Sequence, residues 1–217
     1  MHADQDIMPM AERDPSPRKG SRTAARVRAS ALKLFARHGY AAVSMRQIAS
    51  DVGVQPGALY NHFPTKQDIL KDLMLSHMRD LLNAWSALAD ETRQSTAPLD
   101  VFVRFHIRYH LQRREEVFIS YMELRNLEPD NFAEVETERR RYESILKAIL
   151  EDGQNSGAYR IADTGVAARA IIAMLTGIPN WYRESGPLTP VDIEEIYLEM
   201  ARGSVAATPL TASIESD

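Results

Sequence analysis

The 217-residue chain carries 26 basic and 30 acidic side chains, a formal net charge of −4, and 44% of its residues are hydrophobic. That length suits one large domain or two modest ones, and the apolar share is ordinary for a folded protein. The absence of cysteine excludes disulfides and thiolate metal sites and fits a cytoplasmic home, while no apolar run is long enough to span a membrane and the acidic, polar N-terminus is no secretory signal.

In chain order the signals are almost all helical. Residues 1–19 contain Pro9, Pro15 and Pro17 with little apolar periodicity, and predict a flexible arm. The first helix is expected from Arg22 to about His38, with Val27, Ala31, Leu34 and Phe35 on one face and Gly39 as its stop. Ser44 caps the second helix, with Gln47 three residues on as in a capping box. Gly53 suits a tight turn that needs positive φ, and Pro56 opens a short third helix to about Phe63. Thr65 caps a long fourth helix, with Asp68 at its third position and an apolar stripe of Leu70, Leu73, His77, Leu81, Ala84 and Leu88.

A second helical unit follows. Helices are expected from Pro98 to about Arg113, Glu115 to about Asn126, Asn131 to about Asn155, Thr164 to about Arg183 behind an Asp163 cap, and Pro190 to about Gly203. The tail is loose. The fold class is therefore all-α, divided into an arm (1–19), a small helical unit (20–66), a larger helical unit (67–204) and a tail (205–217).

Residues 44–70 carry the strongest signal. Counting from Met45, small Ala49 falls at position five, Gly53 at nine and Leu59 at fifteen. This is the spacing of a helix-turn-helix, whose second helix enters a DNA major groove. The local charge agrees. Between residues 18 and 66 lie Arg18, Lys19, Arg22, Arg26, Arg28, Lys33, Arg37, Arg46 and Lys66, against Asp51 as the sole acid, so the remainder of the chain is acidic. Ser44 sits at a helix N-terminus suited to a phosphate, to simple capping or to both together, and Arg46 is near enough to reach a phosphate or a guanine edge. Gln55, Gly57 and Ala58 begin the recognition helix, where small residues admit the groove. Met45, Pro56 and Asn61 complete the expected DNA-facing set, and Arg22, with Arg18 and Lys19, forms an arm for backbone or minor groove. Leu59 and Phe63 are assigned to the core.

The same stretch resembles the DNA-binding domain of the TetR family of bacterial repressors over about residues 22–71. The features are Leu34-Phe35-Ala36, Gly39-Tyr40, Ser44, Ile48-Ala49, Gly53-Val54 and the run Gly57-Ala58-Leu59-Tyr60-Asn61-His62-Phe63 into Lys66. The resemblance implies that Tyr60, His62 and Lys66 contact phosphates. It also implies a homodimer closed by the last two helices as a four-helix bundle. Their apolar residues Ile171, Leu175, Ile178, Trp181, Tyr182, Ile193, Ile196, Tyr197 and Met200 are expected to be exposed for that purpose. Two-fold dimers read half-sites about one helical turn apart, roughly 34–36 Å.

An effector pocket is expected from Phe102, Phe105, His106, Tyr109, Tyr121, Met122, Arg125 and Met174, a mixture suited to an apolar ligand with a polar handle. His106 and His110 have the i, i+4 spacing of metal ligands, but without a third ligand no metal is expected. No cofactor is expected either. The segments containing YMELRNLEPDNF and ARAIIAMLTGIPNWYRESGPLTP resemble the acyl-coenzyme A-sensing branch of the family. These features imply a ligand-responsive repressor of palindromic operator DNA, released by an acyl-CoA or related acid. The alternative is a nucleoid-type DNA-binding protein without an effector. An enzyme is not indicated, since no phosphate loop or nucleophile elbow is present.

Overall fold

The computed structural model describes residues 19–88 and 97–206, and every regular element among them is helical. The expected arm up to residue 18 and the tail beyond residue 206 lie outside the described residues. Helix α1 (Lys19–His38) buries Val27, Ala31 and Phe35 at successive four-residue steps, and Gly39 ends it at φ 80° with its N–H on the Phe35 carbonyl at 2.8 Å. Helix α2 (Met45–Val52) begins with the capping box: Ser44 N–H donates to Gln47 Oε1 at 2.8 Å, and Gln47 N–H to Ser44 Oγ at 3.3 Å. Gly53, at φ 71° and ψ 38°, turns the chain into α3 (Pro56–Tyr60). Thr65 and Asp68 form a second capping box at the start of α4 (Lys66–Ala87).

The larger unit contains α5 (Pro98–Leu111), α6 (Arg114–Met122), a 3-10 turn (Leu124–Asn126), α7 (Pro129–Asn155), α8 (Thr164–Thr176), α9 (Ile178–Trp181) and α10 (Pro190–Val205). Two expected helices are interrupted. The stretch expected to run from 115 to 126 breaks at Glu123, whose side chain turns inward to accept the Tyr40 N–H at 3.0 Å. The stretch expected from 164 to 183 bends at Gly177–Pro179, because Pro179 has no N–H for the Leu175 carbonyl and its ring crowds that turn.

Two apolar clusters form the interior. The first joins α1, α2, α3 and the start of α4 through Phe35, Ile48, Ala49, Leu59, Ile69, Leu70 and Met74, and it also takes in Ile119 of α6 and Val135 of α7. The second centres on Met78, Leu81 and Trp85 of α4 with Phe102, Tyr142, Leu146, Ile171, Leu175 and Leu198. Helix α4 thus supplies consecutive turns of one stripe to both. Helix α6 packs against α1 as well as α4.

Candidate nucleic-acid interface and effector cavity

The helix-turn-helix is assembled from the residues its spacing singles out. Ala49 and Leu59 are buried where α2 and α3 cross, and Ser30 of α1 donates to Asp51 at 2.6 Å. Leu59 and Phe63 are buried as assigned. Around them Arg22, Arg46, Gln55, Pro56, Gly57, Tyr60 and Asn61 are exposed, with Ala58 and His62 half-buried. Three of the expected contact residues also make bonds or packing contacts within the chain. Met45 packs against the first core. The Ser44 hydroxyl pairs with Gln47 as the cap of α2 and stays exposed. Lys66 donates from Nζ to the carbonyls of Tyr40 at 2.9 Å and Val43 at 2.8 Å, and lies 4.1 Å from the centre of the Tyr40 ring. It holds the α1–α2 connection in place. Burial lowers its pKa, against the opposing field of Glu123.

A cavity of about 430 Å³ opens in the second unit. Met78 of α4, Val117, Phe118, Tyr121 and Met122 of α6, Tyr142 of α7, and Ile172, Ala173 and Thr176 of α8 line it. Most of these residues are apolar, while Arg139, Glu143, Arg169 and Asn180 bring polar groups to the wall. Arg169 donates to Glu143 at 2.9 Å, and Arg139 donates to the Ser120 carbonyl at 3.2 Å while lying 4.3 Å from the centre of the Tyr121 ring. Behind the floor, His106 bonds Tyr142 Oη through Nδ1 and Thr176 Oγ1 through Nε2, each at 3.1 Å. Burial holds His106 neutral, with a pKa far below the ordinary range, and raises that of Tyr142. An apolar chamber with two guanidinium groups on its wall fits an anion carrying an apolar tail.

Of the expected pocket residues, Tyr121 and Met122 line the cavity. Phe102 and His106 are wholly buried beside it, with Phe102 packed against Trp85 and Tyr142. Phe105 and Tyr109 belong to the adjoining aromatic cluster, Met174 packs on the second core, and Arg125 is exposed on the 3-10 turn. The aromatic run of α5 is core because α5 is enclosed by α4, α7, α8 and α10. Arg139 and Glu143 were missed, since on the charged α7 nothing in the spacing separates the few inward charges from the solvated ones, and Arg169 was missed as the single charge on the otherwise apolar α8.

The expected dimer face divides likewise. Ile171, Leu175, Ile178, Tyr182 and Ile193 are buried within the chain, because α8 and α10 must first pack on α5. Trp181 (49%), Ile196 (42%) and Met200 (52%) remain exposed, and Tyr197 is half-buried with its ring 6.4 Å from that of Trp181.

The family model of the N-terminal region of tetR-family bacterial regulatory proteins matches residues 27–73, and that of the tetracyclin repressor-like C-terminal domain matches residues 76–205. The chain belongs to the TetR family. Among relatives of this TetR-family regulator, the HTH-type transcriptional repressor KstR2 of Mycolicibacterium smegmatis is 26% identical over 182 residues, 81% of this chain and 86% of that one. A tetR-family regulatory protein from Rhodococcus RHA1 matches with a TM-score of 0.79 and 30% identity over 87% of this chain and 100% of that one. AibR, in a complex with isovaleryl coenzyme A and operator DNA, matches with a TM-score of 0.74 at 21% identity over 82% and 97% of the two chains, a likeness of fold. The all-α architecture with its N-terminal helix-turn-helix is that of the family.

Proposed function

We propose that the protein is a ligand-responsive transcriptional repressor that binds palindromic operator DNA as a homodimer and is released by an acyl-coenzyme A or a related acid. The carrying observation is the cavity. Its mostly apolar lining carries Arg139 of α7 and Arg169 of α8, and its Val117, Phe118, Tyr121 and Met122 belong to α6, the helix that packs on α1 of the DNA-binding unit. A nucleoid protein without an effector has no need of such a chamber. The relatives support the reading by kind: KstR2 is a transcriptional repressor, and AibR holds isovaleryl coenzyme A and operator DNA together.

On this reading the exposed Arg46, Gln55, Gly57 and Tyr60 face the DNA, and Trp181, Tyr197, Ile196 and Met200 form the centre of the dimer face. Residues 20–66 are assigned to DNA binding and 67–204 to effector binding and dimerisation, with α4 contributing to both cores.

The test is a mobility-shift titration on the promoter of the protein's own gene, with and without octanoyl-coenzyme A. A typical coupling of 1–3 kcal/mol weakens operator binding roughly 5–150-fold, and by linkage the operator weakens thioester binding by the same factor. Tyr60→Ala is expected to weaken all sequences alike, and Gln55→Ala to change sequence preference as well. Equal thioester affinity with and without operator overturns induction, and the absence of preference for any palindrome overturns specific binding.

A further inference from the structure

Beside the cavity lies an open cleft between the DNA-binding unit and the helical unit. Helix α1 contributes Lys33 and Arg37, the start of α6 contributes Arg114, and the segment after α9 contributes Arg183. Phe118 and Asn180 line both the cleft and the cavity, so the two spaces meet across these side chains.

The charge of the cleft is poorly compensated. Lys33 and Arg37 have no carboxylate partner among the described residues, and Arg183 donates only to the backbone carbonyls of Asn180 at 3.3 Å and Tyr182 at 2.9 Å. The nearest carboxylate to Arg114 is that of Glu184, at 3.9 Å. Glu115 is the one acid on the cleft wall. Helix α6 also points its N-terminus here without a side-chain cap. Four cations gathered from two units, facing a concave surface, create a field that concentrates multivalent anions. Arginine and lysine together suit phosphate oxygens.

We propose that the cleft binds the phosphate-bearing head of the effector whose apolar tail occupies the adjoining cavity, and that this head is what couples the effector to DNA release. The proposal rests on the acyl-ligand reading of the cavity and deepens it. An acyl chain alone touches only the helical unit. A phosphorylated head seated against Lys33 and Arg37 engages α1 directly, and so ties the position of the DNA-binding unit to that of α6 and α9. Such a ligand has the differential affinity for two arrangements that a population shift requires.

The experiment compares octanoyl-coenzyme A, octanoyl-pantetheine, coenzyme A and octanoate on the full-length dimer, reading thermal shift for binding and mobility shift for operator release. The expected result is that both thioesters raise the melting temperature but only the coenzyme A form releases the operator strongly. Arg183→Ala and Lys33→Ala are then expected to leave octanoyl-pantetheine binding unchanged. They should cut the response to octanoyl-coenzyme A from the roughly 5–150-fold typical of such coupling to about twofold. Equal release by the two thioesters, unaltered in the variants, overturns the role of the cleft and leaves the cavity reading standing. Loss of operator affinity by Arg183→Ala without any ligand shows the cleft to be a DNA surface and also overturns it. No thermal shift with any of the acyl compounds overturns the cavity reading and this proposal with it.

Discussion

His77, His106 and His110 are buried, at 3%, 0% and 1% exposure, and form one aromatic cluster in which the rings of His106 and His110 stack at 3.9 Å. Neither ring nitrogen of His77 has a hydrogen-bond partner among the described residues. Burial is the main cause that depresses the pKa of His77 to about 3 and that of His110 to about 4; His110, Arg113 and Arg139 push His77 further down, while a bond from the His110 ring to the His106 carbonyl partly resists the shift of His110. In the unfolded chain the same imidazoles protonate below about 6.5. The unfolded state therefore binds more protons, so stability is whole above about pH 6.5 and is lost as pH falls toward 4 and then 3. Between pH 7 and pH 5 each of these two residues removes about 2 kcal/mol, and His106 adds to the loss in the same direction. That is a large part of a total stability of about 5–15 kcal/mol. The assay is urea unfolding followed by circular dichroism at both pH values and at one protein concentration, since dimer stability depends on it. His77→Leu removes one titrating group and an unpartnered buried imidazole. It is expected to be neutral or stabilising at pH 7 and to shrink the acid loss by about 2 kcal/mol. If the variant loses as much stability as the parent between pH 7 and pH 5, His77 is not held neutral by burial and the reasoning fails.

Other expectations follow from single contacts. Gly153→Ala places a Cβ 2.0 Å from Tyr159 Cδ2 and is expected to cost about 1–3 kcal/mol in a thermal melt, although alanine is the better helix former. A stabilised variant would show that the Tyr159 ring moves aside freely. Glu123→Ala leaves the buried Tyr40 N–H unpartnered and is expected to cost about 1–3 kcal/mol in urea unfolding, with no loss meaning that water replaces the carboxylate. Trp181→Asp and Ile196→Asp place charges on the exposed apolar face of the last helices without disturbing a buried one. Light scattering is expected to give folded monomers with little operator affinity, whereas persistent dimers place the interface elsewhere.

The DNA-binding unit was legible almost residue by residue because its signals are local. The Ser44–Gln47 box, the Gly53 turn and the buried Ala49 and Leu59 all depend on neighbours within about one turn of helix, and the structure places each as its spacing requires. Lys66 was not legible in this way. Its partners, the carbonyls of Tyr40 and Val43, are more than twenty positions away and carry no side-chain identity. The helical unit obeys the same limit. Its periodicities located most helix ends, yet amphipathic patterning reports only that a face is inward and not which neighbour it meets. The aromatic face of α5 was therefore read as pocket wall, when the helices packed around it, with His77 and Trp85 of α4 against its rings, make it core. The bend at Pro179 was the exception, since the residue that breaks the helix was in plain view.

The placement of α6 explains why a small ligand in the cavity can matter to a DNA-binding unit at all. Within this nine-residue helix, Val117 and Phe118 face the cavity, Phe118 also faces the cleft, and Ile119 is buried in the first core beside α1. One turn on, the Glu123 carboxylate accepts the N–H of Tyr40, whose carbonyl in turn receives Lys66. Cavity wall, domain contact and the bond to the α1–α2 connection are thus all made within residues 117–123, by α6 and its C-cap. No extended relay is needed between them, because a close-packed helix cannot shift Phe118 while leaving Ile119 where it was. On the proposed induction reading, a ligand that wedges Phe118 would move α6 against α4 and carry α1 with it.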